Sequence, residues 1–422
     1  MAIIPGFFGF NYTLWLIISL LRFLSESLVK FLPTSLLSRR SPTPSSSAIL
    51  PEEVAVIMAV HNEELSLNNT LTALKKNVSA KQIYVGNDAS TDKTASIAQK
   101  HGCQVVNLSP NRGKSKVLAY LIKHYNLLSK YKAILILDGE IIVDSNYLKT
   151  ILPYFNDPEV VAFVSHAISA WHPHRLPKWS MFFTAYRIRL WFLLYFALRY
   201  GQTWKYTCAT PIIPGGSSIY RSSALAQIEI DTPGLIIEDF HMTFQVYHKK
   251  LGRIASHPSA YVIDQEPYNL KDYIKQVHRW FLGFWQTFFR HGYWPSFFWF
   301  STFFFTLEMT LYSIVIFFLP YAIIDLLLHP WGQAIIYNIN MSPLNTSTIS
   351  VTPLGLIIAV FVIDYALTIF VAAIERKPLL LIYGLGFFLL RYIDSFVFLW
   401  TLPKSLFGHT ATGQWSHPAR KA

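Results

Sequence analysis

Apolar and polar positions divide the chain into an apolar start, a mixed middle and an apolar end. Residues 7–24 are almost wholly apolar, a run long enough to approach the roughly 30 Å of a bilayer's hydrocarbon core. The run has no basic stretch before it and no small-residue cleavage site after it, so it reads as an anchor rather than a signal peptide. Lys30, Arg39 and Arg40 follow it, which places the next segment on the cytoplasmic side. A Ser/Pro stretch at 41–47 reads as a linker. Residues 297–328, 354–374 and 378–402 are again apolar, and the 330–353 loop, which lacks Lys and Arg, is expected outside. Glu375, Arg376 and Lys377 then return to the inside. The third run carries Arg391 and Asp394, and the tail behind it holds Lys404, Arg420 and Lys421. A full third span would put that basic tail outside, so the number of spans stays open. The expected organisation is an anchor at 1–32, a linker at 33–50, a globular domain at 51–266, a helix at 267–293, a membrane region at 294–402 and a polar tail at 403–422.

The middle alternates two periodicities. Residues 54–60, 82–85, 104–108 and 133–137 read as strands. Between them 63–76, 91–101 and 114–125 read as helices, the first with Leu67, Leu71 and Leu74 on one face. This alternation predicts an α/β domain with a mostly parallel sheet covered by helices on both faces. Residues 178–200 are rich in aromatics with Arg187, Arg189 and Arg199 interspersed, and 268–290 are similar. Both are expected as amphipathic helices in a lipid interface.

Composition narrows the classes. Hydrophobic residues are 52% and charged residues only 14%, yet the net charge is +12. A basic excess suits nucleic acid, anionic lipid or small anionic substrates. No dense Lys/Arg cluster is interleaved with aromatics, so no nucleic-acid partner is expected. Cys103 and Cys208 lie far apart, which excludes a disulfide framework and a cysteine zinc site. His172 and His174 flank Pro173 with no carboxylate beside them and read as an ordinary loop.

Ligands of such sheets bind beyond the carboxyl ends of the strands. There the chain places His61-Asn62-Glu63-Glu64, then Asn87-Asp88-Ala89-Ser90-Thr91-Asp92, then Asp138-Gly139-Glu140. Taken singly, Glu63 and Asp92 suit helix N-termini. Three carboxylate turns at one edge repel one another, and a divalent cation with a nucleoside diphosphate would relieve that repulsion.

These turns are followed in order by Asn111-Arg112-Gly113-Lys114, a Pro214-Gly215-Gly216-Ser217 segment, Glu238-Asp239 and Gln276-Val277-His278-Arg279-Trp280. The set resembles family 2 glycosyltransferases of the GT-A fold, in the branch of processive membrane synthases that make poly-N-acetylglucosamine, hyaluronan or cellulose. The resemblance spans about 54–280 and the flanking apolar runs. It implies a Rossmann-like cytoplasmic α/β domain joined to transmembrane and interfacial helices in a multi-pass plasma- or inner-membrane protein. It implies inverting, metal-dependent transfer from a UDP-sugar, best read as UDP-N-acetylglucosamine, to a growing β-linked polysaccharide, coupled to translocation. Carried over, Asn62, Glu63, Asp88, Asp92, Lys114, Asp138, Gln276, Arg279 and Trp280 would bind the nucleotide sugar. Asp138 and Glu140 would hold Mg2+ or Mn2+, and Gly215, Gly216, Ser217 and Trp280 would line the acceptor site. Asp239 would be the general base, with like-charged Glu238 raising its pKa. A lipid bilayer and an accessory membrane subunit belong to the same picture. The chain departs from the pattern at Asn87 and Glu140, each in place of Asp, and at His61 in place of Tyr. Two other readings stay open: single transfer to a glycolipid acceptor, as in ceramide glucosyltransferases, and a donor-binding membrane protein with impaired catalysis.

Overall fold

The computed structural model describes residues 9–31, 48–173, 177–328, 337–340, 348–351 and 353–407. The 41–47 linker, Arg39, Arg40, His174 and the tail with Arg420 and Lys421 lie outside the described residues, as does most of the 330–353 loop.

The middle of the chain builds around β1 (Val54–Val60), whose seven residues are all buried. An apolar run without alternation suits a central parallel strand, because both faces must be covered. On one face Val54, Val56, Met58 and Val60 meet Leu67, Leu71 and Leu74 of α2 (Leu67–Leu74). On the other, Ala55, Ile57 and Ala59 meet Val117, Leu118 and Leu121 of α4 (Lys114–His124). Parallel neighbours β2 (Ile83–Asp88) and β4 (Ala133–Leu137) flank β1, and β3 (Gln104–Leu108) pairs with β2 across α3 (Thr94–Lys100). β6 (Val160–Val164), β8 (Ser217–Arg221) and β9 (Arg253–Ala255) complete a seven-stranded sheet ordered β3-β2-β1-β4-β8-β6-β9. β8 runs antiparallel to both β4 and β6, so the sheet is mixed. β5 (Ile142–Val143), β10 (Tyr261–Asp264) and β7 (His166–Ser169) form a small second sheet.

A helical layer continues from this domain: α1 (Phe10–Phe31), α5 (Lys178–Leu193), α6 (Asp239–His248), α7 (Leu270–His291), α8 (Phe297–Leu328), α9 (Pro353–Ile374) and α10 (Phe387–Phe407). α5 departs from the expected amphipathic helix. Its arginines form no polar face, since Arg187 and Arg189 are buried at 2% and 1% exposure. Distant partners make this possible: Glu266 for Arg187, and Asp364 with Thr368 for Arg189. Among the described residues two helices are long and apolar enough to cross a membrane, by length and composition: Lys178–Gln202 and Phe297–Tyr321. α1 also leaves Leu16, Ile17, Leu20, Leu21, Phe23 and Leu24 exposed, an apolar stripe larger than a water-facing helix carries without a partner.

Candidate active site

The first two strand ends are stitched together. Beyond β1, Asn62 N–H donates to Ser90 Oγ at 2.9 Å, Glu63 N–H to Thr94 Oγ1 at 2.7 Å and Glu64 N–H to Asp92 Oδ2 at 3.1 Å. In return Thr91 N–H donates to Asn62 Oδ1. Asp92 also accepts from Thr94 N–H at 3.0 Å, just before α3. Burial works against its charge, but the hydrogen bonds from Thr94 and Glu64 outweigh burial and hold the carboxyl below its ordinary range. Glu63 is buried and accepts from Ser66 Oγ at 2.7 Å.

Asp88 is fully buried, and its two oxygens accept from Arg112 N–H and Gly113 N–H, both at 2.8 Å. Gly113 has φ of 86°, a left-handed conformation that favours glycine. The turn so fixed starts α4 at Lys114 and aims that side chain back over the sheet edge.

Lys114 is the hub of the site. Its Nζ lies 2.6 Å from Asp138 Oδ1, 3.3 Å from Glu238 Oε1 and 3.1 Å from the Gly215 carbonyl oxygen. Burial alone would lower its pKa, but Asp138 and Glu238 keep it charged and above its usual value. Gly215 and Gly216 let the backbone pass this close. A Cβ on Gly215 would lie 2.9 Å from Glu238 Oε1 and 3.1 Å from Lys114 Nζ, and one on Gly216 would lie 3.3 Å from Asp138 Oδ2. Asp138 N–H donates to the Gly216 carbonyl, fixing this cradle against the end of β4.

Asp239 opens α6 beside the hub. Its Oδ2 accepts from Gly215 N–H at 3.2 Å and its Oδ1 from Phe240 N–H at 2.7 Å. Burial, and then the charge of Glu238, push its carboxyl up to about 6, against the pull of Gly215 N–H, Lys114 and Phe240 N–H. A carboxyl near 6 is ionised at neutral pH yet basic enough to take a proton.

The structure thus brings Lys114, Asp138, Gly215, Gly216, Glu238 and Asp239 together. Ser217 is turned elsewhere, its hydroxyl bonded to Tyr147 Oη at 2.5 Å within the core. Glu140 is buried one residue beyond Gly139, whose carbonyl oxygen accepts from Thr70 Oγ1. Among the described residues no group of three His, Cys, Asp or Glu side chains is arranged to hold a metal unaided. Asp138 and Glu140 still fit a hard cation. Their donors are oxygens, and Asp138 already holds an ammonium at 2.6 Å. Mg2+ in particular is usually bound by one or two carboxylates with the remaining positions left to substrate phosphate and water.

Gln276, Arg279 and Trp280 lie along α7, which packs on the segment leading into the acidic pair. Ile236 N–H donates to Gln286 Oε1 at 3.1 Å, and Phe240 stacks edge-on against Phe284. A Cβ on Gly283 would lie 2.1 Å from Ile237 Cγ1. Gly283→Ala is therefore expected to cost about 1–3 kcal/mol, by overpacking, as a lowered midpoint in chemical denaturation. An unchanged midpoint would mean that α7 and the 236–237 segment separate freely. Gly283 and Gln286 carried no signal in the sequence, because their role appears only once a distant loop is laid across them.

Residues 51–283 match the model of the family described as glycosyltransferase-like family 2. Among solved structures, a mannosyltransferase from Pyrobaculum calidifontis in complex with GDP-Man and Mn2+ aligns over 93% of this chain and 99% of its own, at 16% identity and a TM-score of 0.51. Glucosyl-3-phosphoglycerate synthase from Mycobacterium tuberculosis, in complex with Mn2+, UDP and phosphoglyceric acid, aligns over 58% of this chain and 80% of its own at 14% identity, with a TM-score of 0.37. An uncharacterised protein of Methanocaldococcus jannaschii is 39% identical over 89 residues, 21% of this chain and 36% of that protein's length. The mannosyltransferase likeness is one of fold, a GT-A-like mixed α/β sheet with a helical C-terminal region. With more than half of its length matched by the family model, the chain belongs to glycosyltransferase-like family 2.

Proposed function

We propose that this protein transfers a sugar from a nucleoside-diphosphate donor to an acceptor hydroxyl with inversion at the anomeric carbon. The carrying observation is the placement of the Asp239 carboxyl, aimed by Gly215 N–H and Phe240 N–H and set beside the Lys114 ammonium that bridges Asp138 and Glu238. In this reading the acceptor oxygen bonds to the anomeric carbon as the bond from that carbon to the diphosphate breaks. Asp239 takes the hydroxyl proton, and the nucleoside diphosphate leaves with the electron pair. Lys114 and Arg279 supply positive charge to the leaving diphosphate. Asp138 and Glu140 would hold a divalent cation, which when bound supplies Lewis-acid stabilisation of the same charge. Asn62, Glu63, Asp88 and Asp92 form the floor on which the nucleotide rests, Asp88 and Asp92 acting through the backbone turns they fix.

A UDP-sugar, with UDP-N-acetylglucosamine first, remains our reading of the donor. The Pyrobaculum mannosyltransferase holds GDP-Man, so GDP-sugars belong in the same screen. The run from Gln276 to Trp280 supports processive synthesis of a β-linked polysaccharide. The apolar helices and the exposed stripe of α1 support a multi-pass membrane setting, with the catalytic domain cytoplasmic and the polymer moved across. That stripe equally favours a second reading, a single transfer to a glycolipid acceptor at the bilayer surface.

The test uses the full chain in detergent or nanodiscs with a panel of UDP- and GDP-sugars and Mg2+ or Mn2+. Release of the nucleoside diphosphate is expected from one donor and is expected to be suppressed by EDTA. A ladder or high polymer on a gel selects processive synthesis, and one lipid-linked sugar selects single transfer. Nucleotide binding without release from any donor would overturn both and leave a donor-binding protein.

A further inference from the structure

Arg187 is a charged side chain at 2% exposure, and no step described so far uses it. An arginine is buried at a considerable desolvation cost, which close and well-oriented partners must offset. Here those partners lead to the run from Gln276 to Trp280 on α7. Arg187 Nη2 donates to Gln276 Oε1 at 3.1 Å. The guanidinium carbon lies 4.6 Å from the centre of the Trp280 ring, 4.8 Å from that of Tyr273 and 5.4 Å from that of Trp191. Gln276 and Trp280 are four residues apart and therefore share one face of α7, and one guanidinium touches both.

The arginine is itself held. Its Nε stands 3.6 Å from Glu266 Oε2, while Glu266 Oε1 accepts from Ser169 Oγ at 2.6 Å and from Trp191 Nε1 at 2.8 Å. Tyr273 is fixed from behind by its hydroxyl, which donates to Asp394 Oδ1 at 2.7 Å. Trp280 stays partly exposed. Only a planar, delocalised cation can stack on aromatic rings and donate in its own plane at once, so lysine would not replace it.

We infer that Arg187 is a positioning residue: it holds Gln276 and Trp280 in one geometry so that the acceptor sugar is stacked in line for deprotonation by Asp239. This rests on the transferase reading above. Without Arg187 the donor still binds and reacts, but the acceptor is misplaced and water takes its position. Water oxygen then bonds to the anomeric carbon, its proton goes to the base, and free sugar and nucleoside diphosphate leave.

The readout is the partition of each turnover between transfer and hydrolysis. It uses the donor that the wild type turns over, with the free monosaccharide of that donor as acceptor probe. This ratio does not depend on how much of a preparation is folded, so a purely structural role does not move it. Arg187→Lys is expected to shift the ratio toward water on the order of ten-fold, since small misplacements of reacting groups are costly, with nucleoside diphosphate affinity unchanged. Gln276→Leu, which removes the acceptor of the Nη2 bond but leaves Glu266 and the rings around the cation, is expected to shift the ratio in the same direction. The double variant is expected to be no worse than the worse single one, because the two act through one contact. An unchanged ratio in Arg187→Lys, or effects that multiply in the double variant, overturns the proposal while the transferase reading stands. If Arg187→Lys fails to fold, an unchanged ratio in Gln276→Leu overturns it alone. A wild type that releases no nucleoside diphosphate from any donor overturns both readings together.

Discussion

Asp239→Asn is expected to lower nucleoside diphosphate release by roughly 10²–10⁴-fold, the range that a general base contributes, while leaving nucleotide affinity intact. The carboxylate sits where α6 begins, and both of its oxygens accept backbone N–H groups, which fixes its direction. An amide of the same shape keeps one acceptor oxygen and loses the basic site. The pH profile should carry the same signature. Burial and Glu238 raise the Asp239 carboxyl to about 6, so the wild-type rate is expected to rise with pH through about 6 and level off above it. Its folded value is raised above its unfolded one, so the stability it contributes is fully present below the unfolded value and lost as pH rises through about 6. A variant that keeps near-normal release, or a wild-type profile flat through this range, would remove Asp239 from the base role.

Lys114→Met is expected to cost about 3 kcal/mol of stability, because breaking a buried pair leaves charge uncompensated. The ammonium lies against Asp138, Glu238 and the Gly215 carbonyl at once, with only 18% of its side chain exposed. Its removal also takes away a cation that lowers the Asp239 carboxyl. The acidic limb of the pH profile should then move to higher pH, along with a fall in turnover of about 10²–10³-fold, comparable to losing one preorganised donor at a developing negative charge. Urea unfolding reads the first effect and the pH profile the second. A limb that stays in place would show that Lys114 and Asp239 do not share a field.

The parallel half of the sheet was legible because its central strands β1 and β4 bury every residue and so read as uninterrupted apolar runs, while the partly buried edge strand β3 still carries Val105, Val106 and Leu108. A helix was expected from 63, but residues 64–66 form a turn, with Ser66 and Leu67 N–H both donating to the Glu63 carbonyl, and α2 begins at Leu67. β2 runs on through Gly86, Asn87 and Asp88, polar residues that still pair with β3. β8 was not foreseen: Ser217–Arg221 has no apolar run, and its partners in β4 and β6 lie far back in the chain. The acidic and glycine turns were readable as motifs, but the meeting of Lys114 with Glu238 was not, since no local spacing encodes it. The arginines of α5 misled for the same reason. Alternation with aromatics suggests a surface, and only the distant Glu266 and Asp364 turn those positions into a buried network.

The anomeric configuration of the first product, read by proton NMR from an α-linked donor, tests the account most directly. One displacement with Asp239 on the acceptor side predicts a β linkage. An α linkage would require a second displacement or attack from the donor's own face, and it would contradict the assignment of the site.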